Sequence, residues 1–228
     1  MIMGRIRTRV PEGGAIVDGH EMSMEQYSEI MKRQLHKEYI RFVENVINKT
    51  DPQKNSRVLE IGPGPGWAGI NLLQKRCDLI LVGIEASADM VRVALKNAKE
   101  EAVDDRCEYR LGFAENMQEI DDLSIDLVIS RDSLHHWADP HKVFGEIKRV
   151  LKPDGKLYIH DSRRDMNLFG RMIVAIFSKL LPNNMGKYWR SSIAASYTPD
   201  EIKNIIETGN LKGCIVKGDF MDLVISKV

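Results

Sequence analysis

From Met24 to about Asn48, apolar side chains recur at Tyr27, Ile30, Met31, Leu35, Tyr39, Phe42, Val43, Val46 and Ile47. Steps of three and four residues put these on one face, so the pattern predicts a single amphipathic helix. The polar, proline-containing "KTDPQKN" (49–55) then ends it. Beyond it the pattern becomes short apolar runs, at Arg57–Ile61, Leu79–Ile84, Cys107–Leu111, Ile125–Ser130 and Lys156–His160, each expected to be a strand. Helical spacing fits the intervening segments at about 67–76, 87–102 and 140–151. Asp139-Pro140 offers an N-cap and a first-turn proline for the third, and "KPDG" (152–155) offers a turn before the fifth strand. Strands alternating with helices predict a Rossmann-like, doubly wound α/β sheet, mostly parallel.

After Asp161 the alternation stops. Residues 162–196 read as an insertion carrying one very apolar helix, and "TPDEIKNIIETG" restores an amphipathic helix from Thr198. In "GCIVKGDFMDLVISKV", two apolar runs flank a Gly-Asp pair, which predicts two adjacent strands closing the sheet antiparallel. The expected whole is a single domain over 1–228 with seven strands. It has a helical N-terminal arm (1–50), a helical lid (162–196) and an antiparallel C-terminal strand.

Composition narrows the partners. The 33 basic and 33 acidic residues cancel, which disfavours a general nucleic-acid binder. Cys77, Cys107 and Cys214 lie far apart without a CxxC pair, so neither a zinc site nor a disulfide framework is expected. That usage suits a cytoplasmic protein. "MIMGRIRTRVPEGG" lacks the apolar core of a secretory signal, and "LFGRMIVAIFSKLL" (168–181) is interrupted by Arg171 and Lys179 and too short to span a bilayer.

The candidate chemistry begins at "VLEIGPGPGW" (58–67), where Gly62, Gly64 and Gly66 follow the first strand. Glycines there permit positive φ and close approach of a ligand to the backbone. The pattern is GxGxG rather than the GxGxxG of a dinucleotide fingerprint, and Trp67 stands where that fingerprint keeps space for pyrophosphate. Glu85 ends the second strand in "LVGIEAS", where a carboxylate can accept both hydroxyls of a ribose. Glu60, two residues before Gly62, is expected to favour a nearby positive charge.

With "GIEASADM", "LGFAENM", "IDLVISRDSLHHWADP", "RVLKPDGKLYI" and "TPDEIKNIIETGNLKG" in order, the chain resembles the class I S-adenosylmethionine-dependent methyltransferases over roughly residues 25–228. The flavour is similar to the ubiquinone/menaquinone-biosynthesis type and its small-molecule relatives. The resemblance implies that Gly62, Gly64 and Gly66 line the methionine part of S-adenosylmethionine, Glu85 holds the ribose, and Ala86 and Met90 flank the adenine. Phe113 stands before Ala114 where the family commonly has Asp. Phe113 can pack on adenine but cannot accept its amino hydrogen, so Glu115 becomes the candidate acceptor.

Methyl transfer from a sulfonium is an in-line displacement, so placing the acceptor carries much of the rate and a base is needed only where the acceptor loses a proton. "SRDSLHHWADP" supplies Ser130 and Arg131 as expected borders of the sulfonium, and Asp132, His135 and His136 as positioning groups or bases. The acidic pair followed by Asn of metal-dependent catechol-type enzymes is missing, so no metal is expected, although Asp132, His135, His136 and Asp161 form a conceivable ligand set. The Asn/Asp-Pro-Pro-Tyr element of enzymes that methylate nucleic-acid amino groups is missing too.

The acceptor is expected beneath the N-terminal arm and the 162–196 insertion, with Tyr27 or His20 near the methyl group. Arg163, Arg164, Lys187 and Arg190 could receive an acidic head group. "RMIVAIF" is apolar nearly all round, so its helix is expected to be buried, to face an apolar acceptor, or to pair in a homodimer through residues such as Ile173 and Phe177. The rival functions are a nicotinamide-dependent oxidoreductase and a non-catalytic S-adenosylmethionine-binding protein.

Overall fold

The computed structural model describes residues 8–10, 22–181, 185–209 and 211–228. In chain order the elements are α1 (Met24–Gln34), α2 (His36–Thr50), β1 (Arg57–Ile61), α3 (Trp67–Lys75), β2 (Ile80–Glu85), α4 (Ala88–Glu100), β3 (Cys107–Leu111) and β4 (Ile125–Arg131). A single 3-10 turn (Leu134–His136) follows, then α5 (Pro140–Val150), β5 (Leu151–Ser162), α6 (Leu168–Phe177), α7 (Met185–Ala195), α8 (Pro199–Thr208), β6 (Ile215–Gly218) and β7 (Asp222–Lys227). The sheet has seven strands in the order β3-β2-β1-β4-β5-β7-β6, with β7 antiparallel to both neighbours and the other pairings parallel. The expected mixed, doubly wound sheet is therefore present.

Strand residues alternate between two cores, as the period of two demands. Leu59, Ile61, Val128, Leu157 and Ile159 face the layer of α5 and α8, whereas Val58, Leu81, Leu127, Ile129 and Tyr158 face the layer of α2, α3 and α4. Strand order reverses between β1 and β4. In such sheets the crevice beyond the carboxyl ends at that reversal is where ligands bind.

Three local expectations need correction. The single helix over Met24–Asn48 is two helices, broken at Leu35 (φ −106°, ψ 16°). The two halves bury against different partners: α1 packs on α4 through Met24, Met90 and Val93, while Tyr39, Phe42, Val43 and Val46 of α2 sit in the core over α3 and the sheet. One straight helix cannot serve both. The second correction concerns "KPDG", which lies inside β5 instead of preceding it. Ile125 pairs with Leu151 and Leu127 with Lys156, so β5 bulges outward there while the pairing resumes beyond it.

The third correction is the insertion, which holds two helices, α6 and α7. Arg190 ties them together by donating to Ser178 Oγ at 2.6 Å. Only Gly170 and Val174 of α6 are buried. Its apolar sequence is thus not explained by burial in the core.

Ser23 starts α1 with a capping box closed by Gln26. Ser28 Oγ then receives hydrogen bonds from Trp67 Nε1 at 3.1 Å and Asn97 Nδ2 at 2.9 Å, and Asn97 Nδ2 also donates to Pro65 O at 2.8 Å. These buried bonds fasten α1 across α3, α4 and the glycine turn. Trp67 therefore points under α1, 4% exposed, and does not fill the space over the glycines by which the sequence argued against pyrophosphate.

Candidate functional site

The glycine turn occupies the β1 side of the crevice. Gly62, Gly64 and Gly66 have φ of 64°, 53° and 85°, the left-handed region where a side chain is strained. Their surroundings differ. A Cβ on Gly62 would overlap Ser133 Oγ, and one on Gly66 would meet the Tyr109 hydroxyl at 2.8 Å, whereas a Cβ on Gly64 would meet nothing within 4 Å. Gly62 and Gly66 are thus required by packing, and Gly64 leaves open space in front of the backbone.

Glu85 stands beside that space. Its carboxylate accepts from Gly64 N at 2.9 Å and from Ser87 N at 3.0 Å, linking the glycine turn to the N-cap of α4. Ala86 is exposed next to it, whereas Met90 is 8% exposed and packed against Met24, Val93 and Tyr27. Gly112 N donates to Glu85 O at 2.9 Å, so the segment after β3 begins alongside the end of β2. Phe113 is 65% exposed there, and Ala114 is half-buried against the core. Glu115 is engaged elsewhere: its Oε1 accepts from Ala138 N at 3.0 Å and Asp139 N at 3.4 Å, which fastens the approach to α5.

Glu60 departs most from its expected role. The side chain is 2% exposed beneath α3 and accepts from Gly69 N at 3.2 Å. Burial pushes its carboxyl up to about 8, against a smaller opposing effect of the Gly69 hydrogen bond and with a further push from Glu85. At neutral pH it is largely protonated, so it supplies little negative charge to the crevice. Asp132 stays ionised, but its charge is balanced by the cations beside it. Burial raises the Asp132 carboxyl, but Arg131 and then His160 outweigh that and hold it well below the usual carboxylate range. Asp132 meets Arg131 at 2.8 Å and His160 Nδ1 at 3.6 Å. A carboxylate so strongly held as an anion is a poor proton acceptor, and the base role suggested by sequence does not suit it.

Ser130 is fully buried and its hydroxyl donates to Ile61 O at 2.8 Å, strapping β4 to β1. Arg131 lies over the Tyr39 ring at 4.6 Å. Tyr27 is half-buried, and burial, then Asp132, push its hydroxyl up to about 12. Tyr27 packs against the cluster of Met24, Met90 and Val93. His20 lies outside the described residues.

The two histidines differ. His135, 4% exposed, is held by Asp161, whose carboxylate faces Nδ1 at 2.8 and 2.9 Å and accepts from the His135 backbone N at 3.0 Å. His136 is half-buried, its ring 3.9 Å from that of His135. Arg9 closes over this turn, donating to His135 O at 3.0 Å and Ala195 O at 2.6 Å. Arg163 is bound to Asp165 at 2.7 and 2.8 Å, and Arg164 to Glu201, so neither offers an open guanidinium to an acidic head group. Arg190 is exposed but spent on Ser178.

His160 was missed from sequence. It lies near the carboxyl end of β5 between Asp132 and Asp222, each 3.6 Å away. Burial lowers its pKa, but the two carboxylates together raise it to about 10. Its signal was positional: it comes near the end of a parallel strand, at the same edge as Glu85 and Asp132. A separate cleft of about 350 Å³ lies at the opposite, amino ends of the strands, lined by Thr50, Pro52, Asp126 and Lys152, and contains none of these groups.

Comparison with known proteins agrees with the fold. A family profile described as a methyltransferase domain matches residues 52–210. "Uncharacterized methyltransferase YcgJ" of Bacillus subtilis is 32% identical over 118 residues, 51% of this chain and 44% of that protein. The ubiquinone biosynthesis O-methyltransferase of Maricaulis maris is 28% identical over 123 residues, 54% of this chain and 47% of its own. The matched stretch thus spans less than half the length of these curated relatives. The crystal structure of a candidate S-adenosyl-L-methionine-dependent methyltransferase from Methanococcus maripaludis superposes with a TM-score of 0.71 at 27% identity, covering 89% of this chain and 90% of that one. The nicotinamide alternative finds no support among these matches, and S-adenosylmethionine is the cofactor of the class they indicate. With its sheet order, glycine turn and matched span, the chain belongs to the methyltransferase domain family, within the S-adenosylmethionine-dependent class I.

Proposed function

We propose that the chain transfers a methyl group from S-adenosylmethionine to a small molecule with an apolar body, in a cytoplasmic setting. The observation that carries this reading is the open backbone at Gly64 with the Glu85 carboxylate hydrogen-bonded beside it. S-adenosylmethionine, when bound, supplies an electrophilic methyl on a sulfonium with a neutral thioether as leaving group. The open space in front of Gly64 would take its amino-acid part, Glu85 its ribose hydroxyls, and Ala86 and Phe113 the sides of its adenine. The Glu85 carboxylate would favour the cationic ligand electrostatically.

For an acceptor that must lose a proton, His136 is our choice of base. His135 has both its backbone N–H and Nδ1 directed at Asp161, and it packs against the His136 ring and positions it. Tyr27 and the α6–α7 insertion would close over the acceptor. Lys187, and Arg190 once its bond to Ser178 is exchanged, remain as candidates for an acidic group on it.

Calorimetric titration with S-adenosylmethionine, S-adenosylhomocysteine and NADH tests the cofactor. Glu85→Ala should weaken the two adenosyl ligands by about 1–3 kcal/mol, the cost of losing a buried hydrogen-bond partner. Unchanged affinity would place the ribose elsewhere, and binding of NADH alone would overturn the reading. Incubating cell metabolites with methyl-labelled cofactor and following mass shifts identifies the acceptor.

A further inference from the structure

The strongest feature outside the crevice is the surface of the insertion. Leu168, Phe169, Met172, Ile176, Phe177 and Leu180 are 82%, 58%, 49%, 53%, 55% and 73% exposed. Phe220, 40% exposed on the β6–β7 turn, adds its ring 5.7 Å from that of Phe169. An apolar surface of this extent, on α6, the residues just after it and the adjoining turn, marks an interaction site.

Charge decides the partner. In a chain with no net charge, residues 166–199 contain no acid and four cations, Arg171, Lys179, Lys187 and Arg190. All four are exposed, and among the described residues none of them forms an ion pair. Apolar residues with basic side chains on long stems around them suit the boundary between anionic headgroups and acyl chains, where the stems lie along the apolar layer and the charges reach phosphate. A twofold pairing of this face would instead set four cations of the insertion against the same four of the other copy, with Asp219 beside Phe220 as the acid bordering the face, because an isologous contact uses the same surface on both copies.

We propose that α6, with its basic surroundings, docks the protein on an anionic lipid bilayer. No helix among the described residues is long and apolar enough to cross a membrane, so the mode is interfacial. The anchor is joined to the crevice, since α7 packs on the Leu134–His136 turn and Gly186 at its start lies directly against Ser178 O at the end of α6. The proposal stands whichever acceptor is methylated.

Sedimentation of the full chain with vesicles tests it, using phosphatidylcholine alone and phosphatidylcholine with one quarter phosphatidylglycerol. Binding to the anionic vesicles should be at least about tenfold tighter and should weaken with added salt. The paired changes Leu168→Ser with Ile176→Ser, and separately Arg171→Glu with Lys179→Glu, should each reduce it about tenfold or more. Their melting curves should match wild type, because all four side chains are exposed. Equal partition onto both vesicle types, or no sedimentation, would overturn the proposal. So would a dimer in size-exclusion chromatography that the Leu168→Ser, Ile176→Ser variant converts to monomer.

Discussion

Glu60→Gln is expected to make the protein more stable at alkaline pH while leaving it nearly unchanged near pH 5. The buried Glu60 carboxyl releases its proton at about 8 in the folded chain, against an ordinary value of 4.5. A group whose pKa is raised by folding contributes its full stability below the ordinary value, and that contribution is lost as pH climbs through the folded value. Wild type should therefore lose about 3–5 kcal/mol from this group between roughly pH 4.5 and pH 8, at about 1.4 kcal/mol per unit. The glutamine keeps an acceptor for Gly69 N and has nothing to ionise, so that loss should vanish. His160 also loses stability toward high pH, because its folded pKa of about 10 is raised too. That second slope should persist in both proteins, so the difference between their urea-unfolding free energies isolates Glu60. Parallel curves from about pH 5 to pH 9 would mean that water reaches Glu60 and that burial does not govern it.

Asp161→Ala should be the most damaging single change at the acceptor side. Asp161 is 1% exposed and accepts from His135 N at 3.0 Å and Ser162 N at 2.7 Å, besides facing His135 Nδ1 at 2.8 Å. Alanine would remove the acceptor of two backbone donors and the carboxylate facing Nδ1 of a buried imidazole, at a cost of about 3–5 kcal/mol. For a chain of this size that lowers Tm by roughly 6–20 °C, readable by calorimetry. Asp161→Asn preserves one acceptor and the side-chain volume, so it should cost less than half as much. A loss below about 1 kcal/mol for the alanine variant would show that the turn is held by other contacts.

The sheet was legible because its strands announce themselves by length and glycine punctuation, and because parallel crossovers leave few alternative arrangements. The break at Leu35 was not. A helical stripe specifies which side is apolar, but it does not say that α1 and α2 bury that side against different layers. The positive φ of Gly62, Gly64 and Gly66 and the strand-end place of Glu85 beside them were legible because backbone conformation and strand-end position restrict residue type. Glu60, Glu115 and Ser130 misled for a common reason. A polar residue in a motif can face the ligand or satisfy a buried amide or carbonyl, and the sequence shows only that it is polar. His160 and Ser28 were overlooked because their partners lie far along the chain, at Asp222 and at Trp67 and Asn97. Periodicity gave α6 its apolar character, while the exposure of that face depends on where α7 and the β6–β7 turn fall.

The placement of β7 affects how the chain is made. β5 ends at Ser162, but the strand that covers its outer edge, Asp222–Lys227, is synthesised roughly sixty residues later. During synthesis β5 therefore exposes its free backbone groups while the strongly apolar α6 has already emerged. An open strand edge beside such a helix invites pairing with other nascent chains. Truncation anywhere before β7 should yield aggregates, and a chaperone that shields Leu151–Ser162 would raise yield more than one acting on the β1–β3 half.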